Sequence, residues 1–442
     1  LETNDTNRTM VRGKSSFMFA SAAFLRARFV HGETIRGLER KTNETTTLAL
    51  SGDGTFQIGD LLVNIPALGI RICTGIEKDS EGESLMGESD YSNLTFHSMP
   101  DGAGVFPTDD NGGYVYVSNS EMKEKLGGVY GLYFDGEGNV ADYKNLLSGT
   151  TRNCGGGRTP WETWISCEEY GLGQCWQVDP TNQRPPKITK LGGNGGSYES
   201  VAVDDRNSSM PIFYVSEDHE SGALRRYTPP VLQSKVTGST IATWHTVTAD
   251  GGKTEYLVFL NANQFQWTTD EQVGLLPQRR GNTLPRSSSS VSKKLLTLFI
   301  LDLDGGTYTS SSTKYGVLPG GGDWSDQPDQ FTTEGAYMYY TEDGGDTVGV
   351  YAIHRLTGER YAIFEAYDDI YKHDETTGLA FSPDKRKMYA AFQDCGCDDS
   401  DDGVDYSCGC LLEFSRRDGY SFDGSTPSLK FHSPNRWVGE VV

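Results

Sequence analysis

The densest concentration of reactive side chains is the run Asn153-Cys154-Gly155-Gly156-Gly157-Arg158-Thr159-Pro160-Trp161-Glu162-Thr163-Trp164-Ile165-Ser166-Cys167-Glu168-Glu169. It places a thiol, a guanidinium and two adjacent carboxylates on a short path, and its glycines allow close backbone approach. Carboxylate oxygens suit hard cations and a thiolate suits a redox metal, so metal binding is one chemistry this set supports. The other reading is a glycine-rich turn braced by a disulfide, Cys154 to Cys167 or Cys167 to Cys175. Arg158 fits a phosphate oxygen and a solvated turn equally well. Carboxylates recur elsewhere at the ends of short apolar runs, at Glu121, Glu217-Asp218 and Glu342-Asp343.

Positioning such side chains requires elements, and the pattern is that of strands. Helical periodicity is scarce, and short β-branched or aromatic runs bounded by Gly, Asp and Asn dominate from about residue 55 onward. Runs such as Tyr114-Val115-Tyr116-Val117, Ile212-Phe213-Tyr214-Val215, Tyr337-Met338-Tyr339-Tyr340 and Met388-Tyr389-Ala390-Ala391-Phe392 each lead into a polar tip. The tips are spaced 168 − 121 = 47, 217 − 168 = 49 and 393 − 342 = 51, while 342 − 217 = 125 leaves room for one more unit. A period near 50 with paired β-runs predicts a six-bladed β-propeller, in which tips from different blades converge on the central channel.

Two regions fall outside the repeat. Residues 1–55 form an N-terminal arm, in which Phe17, Phe19, Leu25 and Phe29 share one face of a strand pattern with Arg26 and Arg28 on the other. Residues 277–294 form a basic, Ser-rich insert within the propeller expected over 56–442. An apolar strand face needs a partner. One expectation is β-augmentation of a neighbouring copy, giving a homo-oligomer or filament, and the other is docking on the chain's own propeller.

The formal net charge of −22 excludes nucleic-acid binding by general basicity. No apolar run is long enough for a membrane span. Five sequons, at Asn4, Asn7, Asn43, Asn93 and Asn207, carry the expectation of N-linked glycans on an exported chain, extracellular or held at the cell surface, whose signal has been removed. The eight cysteines agree with an oxidising compartment. Cys395, Cys397, Cys408 and Cys410 bracket an acidic loop over 394–411 with palindromic spacing, which fits nested cross-strand disulfides, zinc being the competing reading.

The 153–169 run resembles the Asn-Cys-x-x-Gly-x-Thr-Pro-Trp-x-Thr-Trp-x-x-Cys-Glu-Glu signature of the PhoX-type alkaline phosphatase family and its secreted eukaryotic relatives. The resemblance extends over roughly residues 90–420, through Phe96-His97-Ser98-Met99-Pro100-Asp101-Gly102, Tyr198-Glu199-Ser200, Gln327-Pro328-Asp329-Gln330, Thr341-Glu342-Asp343-Gly344-Gly345 and Glu375-Thr376-Thr377-Gly378-Leu379-Ala380-Phe381. It implies a six-bladed propeller whose bacterial members hydrolyse phosphomonoesters at an iron and calcium cluster in the channel. Carried over by residue, it implies Cys154 as an iron ligand, Glu168, Glu199, Asp329 and Glu375 as oxygen ligands, Glu217, Asp218 and Glu342 as further ones, and Arg158 at the phosphate. The insert 277–294 stands where relatives carry an acidic motif, so calcium is expected ahead of iron.

Two functions follow as expectations. One is an extracellular structural subunit that self-assembles through its arm. The other is a metal-dependent phosphomonoesterase of PhoX type.

Overall fold

The fold was obtained as a computed structural model that describes residues 96–108, 111–219, 222–235, 237–271, 297–312, 328–342, 348–354, 360–366, 375–393, 409–416 and 418–425, with the short strands 35–37, 55–58 and 61–64. Among the described residues the fold is all-β, and each sheet is antiparallel with neighbours mostly in sequence order. The first sheet runs Pro100–Pro107, Tyr114–Ser120, Gly127–Phe134, Val140–Thr150. Asn153–Arg158, Trp164–Tyr170, Cys175–Val178 and Lys187–Ile188 form the next set, hydrogen-bonded through Ser197 opposite Glu169 to a third built on Gly196–Asp204, Ile212–Glu217 and Arg225–Thr228. Thr297–Asp302 pairs with Thr307–Ser312. Pro328–Glu334 opens a further sheet, and Thr376–Phe381 opens the last.

The inner strands of these sets pack against one another in the order Pro328–Glu334, Thr376–Phe381, Pro100–Pro107, Asn153–Arg158, Gly196–Asp204. Apolar layers fill the space between successive sheets. Tyr114, Tyr116, Phe134, Tyr389 and Leu411 join the last sheet to the first. Phe106, Val115, Val117, Trp164 and Val178 join the first to the second. Strand Tyr114–Ser120 is buried along its whole length because its faces are covered by different sheets. A polar chain threads the same interface, Tyr114 Oη lying 2.6 Å from Tyr389 Oη, which donates to Glu413 Oε2 at 2.8 Å.

The N-terminal region supplies edge strands to its own chain. Ile35–Gly37 pairs with Arg360–Ala366, and the hairpin Thr55–Ile58, Leu61–Asn64 pairs with Cys410–Arg416. Phe17, Phe19, Leu25 and Phe29 lie outside the described residues, as do the insert 277–294, Asn4, Asn7, Asn43, Asn93, Cys395, Cys397 and Cys408. Asn207 is exposed. Cys410 is disulfide-bonded, to a cysteine outside the described residues. Of the two pairings weighed for Cys167, the structure forms Cys167–Cys175, which leaves the Cys154 thiol free and buried.

Candidate metal centre

One backbone device recurs at the start of four inner strands. The ladder slips so that two residues of the inner strand face one of its neighbour: Asp101 and Gly102 across from Asn119, Cys154 and Gly155 from Cys167, Glu199 and Ser200 from Ser216, Asp329 and Gln330 from Thr341. Such bulges re-aim side chains. In all four the first extra residue carries a metal-type ligand, and Asp101, Cys154, Glu199 and Asp329 are all buried. Glycine is required where bulges of adjacent sheets meet. A Cβ on Gly102 would come within 2.7 Å of Gly155 Cα, and one on Gly155 within 2.6 Å of the Glu199 carbonyl.

A second set of side chains follows the neighbouring strands. Two residues ahead of each bulge a carbonyl accepts an N–H: Met99 from Glu121 at 2.8 Å, Arg152 from Glu169 at 2.7 Å, and Ser197 from Asp218 at 2.9 Å. The last sheet repeats the bond, Gln393 N–H to the Glu375 carbonyl at 3.1 Å, three residues ahead of its own bulge at Gly378 and Leu379. Met99 and Arg152 hold the left-handed conformation, with φ of 49° and 52°. The device therefore places Glu121, Glu169, Asp218 and Gln393 in equivalent positions.

These groups converge. Ligand atoms of Asp101, Glu121 and Glu375 all lie within 4.8 Å of one another. Glu121 and Glu169 share a hydrogen bond, and the Cys154 thiol reaches Asp101. Two amides brace the cluster. Gln330 Nε2 donates to Asp101 Oδ1 while its Oε1 accepts Gly378 N–H at 3.0 Å, and Gln393 Nε2 donates to Asp101 Oδ2 at 3.1 Å and Glu121 Oε2 at 2.9 Å. Burial, then the charges of Glu121 and Asp329, hold the Asp101 carboxyl well above the usual range. Burial also raises Glu169, with Glu121 and Asp218 adding to it. Glu121 is raised by burial against the opposing Gln393 amide, and burial pushes the Cys154 thiol up. Such a set holds its protons unless a cation replaces them, and its hard oxygens with one sulfur fit a calcium ion or a redox metal.

Beside the carboxylates opens a cavity of about 650 Å³ lined by Lys123, Thr151, Arg152, Glu169, Asp218 and His219 among others. It sets three basic side chains beside the acidic centre, an arrangement suited to an anion held against cations.

Of the ligands implied by resemblance, the structure brings Cys154, Asp329 and Glu375 into the centre, with Glu199 acting electrostatically on Cys154 and Asp218 on Glu169. Others face elsewhere. Glu168 accepts Thr151 N–H at 2.9 Å, Gln174 N–H at 3.1 Å and Trp176 Nε1–H at 3.1 Å. Glu217 forms a buried ion pair with Arg225 at 2.6 Å and accepts Ala223 N–H at 2.9 Å. Glu342 is fully buried opposite Pro328, the register position of Glu168 and Glu217. Arg158 is exposed, paired with Glu162, and stacked over Phe106 at 5.1 Å. Asp101, Glu121 and Glu169 were not among the ligands that the resemblance implied. The alternation of a strand was the available signal, since it sends Glu168 and Glu169 to opposite faces.

The family described as Alkaline phosphatase PhoX matches residues 137–184. No curated protein matches the chain. Among solved structures, PhoX of Pseudomonas fluorescens in complex with vanadate, a transition state analogue, has a TM-score of 0.57 at 12% identity, covering 92% of this chain and 99% of that one. A gluconolactonase of Xanthomonas campestris has a TM-score of 0.33 at 12% identity, covering 92% and 99%. A sialidase of Trypanosoma rangeli in complex with the inhibitor DANA has 0.36 at 9%, covering 80% and 59%. The last two scores are too low to carry an argument. The chain is PhoX-like, by the sequence match and by a fold shared along nearly its whole length.

Proposed function

We propose that the protein is an extracellular, glycosylated phosphomonoesterase of PhoX type, closed as a six-bladed propeller, that works at a calcium-containing centre in its channel. The observation that carries this is the bulge repeated in four inner strands, whose first extra residue is in turn Asp101, Cys154, Glu199 and Asp329, all of them buried. Asp101, Glu121 and Glu375 would hold one cation, with Glu169, Asp218 and Cys154 as ligands beside it. Cations bound there would draw charge from phosphoryl oxygens. Arg152, Lys123 and His219 would take the remaining phosphate charge from the cavity side, and Gly102 and Gly155 keep the inner strands close enough to fix the carboxylates. The Cys167–Cys175 disulfide and the exposed Asn207 sequon support an oxidising, glycosylating compartment.

The test is hydrolysis of an aryl phosphate monoester by the purified chain, with chelator, calcium or iron added, from neutral to alkaline pH. Turnover that needs metal and is inhibited by orthovanadate is expected. Absence of turnover under every one of these conditions overturns the enzyme reading. Self-assembly through Phe17, Phe19, Leu25 and Phe29 is a separate proposal, sunk if a chain lacking residues 1–30 associates as the full chain does.

A further inference from the structure

We propose that Gln393 is a specificity-determining residue of the carboxylate centre, its neutral amide standing where three other sheets supply a carboxylate and so fixing the cation charge the centre accepts. This rests on the metal reading above. Glu121, Glu169, Asp218 and Gln393 make the same backbone bond beside their inner strands. Only the last of them is uncharged. The inner strand of the same sheet also departs: Thr376 pairs with Phe392 as Pro100 does with Ser120, but Thr377 then pairs with Ala391 and the bulge comes one residue later, its first extra residue being Gly378, which carries no ligand. The Thr377 hydroxyl donates to the Pro100 carbonyl at 2.8 Å. Neither repeated position of this sheet contributes charge, and Glu375 is its contribution to the cluster.

The amide is engaged with two carboxylates at once. Its Nε2 offers two N–H groups, and it contacts Asp101 Oδ2 and Glu121 Oε2. A carboxylate at 393 would instead present a like charge to both oxygens, which a proton relieves in the empty centre and a more highly charged cation relieves in the loaded one. Ligand charge count tunes cation affinity, so a neutral residue here favours divalent over trivalent ions.

Calorimetric titration of the full chain with calcium and with terbium, a trivalent ion of similar oxygen preference, tests this. Gln393→Glu is expected to raise the terbium-to-calcium affinity ratio about tenfold or more. Gln393→Leu, lacking donor and charge, is expected to keep the wild-type ratio while lowering the melting temperature in chelator. An unchanged ratio in folded Gln393→Glu overturns the proposal while leaving the metal centre intact. If that variant unfolds in chelator, terbium should restore its circular dichroism where calcium does not, and equal or failed rescue overturns the proposal. Wild-type protein that binds neither ion overturns both readings.

Discussion

Glu168 and Glu169 are neighbours with opposite duties. Strand alternation turns Glu168 toward Thr151, Gln174 and Trp176, while Glu169 faces Glu121, Asp218 and the cavity. Glu168→Ala should therefore cost about 1–3 kcal/mol of stability in urea unfolding, by stranding partly buried donors, and leave calcium stoichiometry unchanged. Glu169→Gln should do the reverse, keeping the fold and weakening calcium binding about tenfold or more in calorimetry. Equal effects of the two on metal content would refute this division. The same pairing separates Glu217, in its ion pair with Arg225, from Asp218 on the cavity. The acidic doublets stood in the sequence, and Cys154, Asp329 and Glu375 were named there as ligands through the resemblance alone. Which member of each doublet faces the centre was not legible, because strand phase depends on a register that no local residue reports.

At the scale of elements the decisive feature is the bulge, and it left only an indirect trace. The β-runs and their spacing predicted the ladders, as Tyr114–Ser120, Ile212–Glu217, Tyr337–Glu342 and Lys387–Phe392 show. The slip itself depends on pairing between strands, so Asp101, though it stands in one of the motifs that carry the resemblance, was not singled out as a ligand. Its trace is a ligand followed by a small or polar residue, as in Asp101-Gly102, Cys154-Gly155 and Glu199-Ser200. Gly155 tests the device. A methyl group there meets the Glu199 carbonyl at 2.6 Å, backbone that cannot rotate away. Gly155→Ala is expected to destabilise the fold by about 1–3 kcal/mol, and to reduce calcium affinity more than a change in the Cys154 side chain does. A variant with wild-type stability and calcium affinity would show that adjacent bulges need no such contact.

For the whole molecule, the acidic centre and the apolar interfaces pull stability in opposite directions with pH. Asp101, Glu121 and Glu169 have carboxyls raised above their unfolded value near 4, so their protonated forms stabilise the metal-free fold at low pH. That contribution is lost as pH rises through the folded values. His97 behaves in the opposite sense. It is buried between Tyr143 Oη and Ser118 Oγ, each at 2.9 Å, and stacked on Tyr130, and burial lowers its pKa from 6.5 to about 3. Its contribution is complete above 6.5 and declines as pH falls toward 3, by about 2 kcal/mol between 6.5 and 5. A cation bound at the proposed centre would relieve the first effect and leave the second untouched. Melting temperatures measured in chelator and in calcium should therefore converge at acid pH and separate progressively as pH rises. The acid-side decline of His97 should persist in both. A calcium increment that is constant or shrinks as pH rises would mean that the buried carboxylates do not exchange protons for a cation.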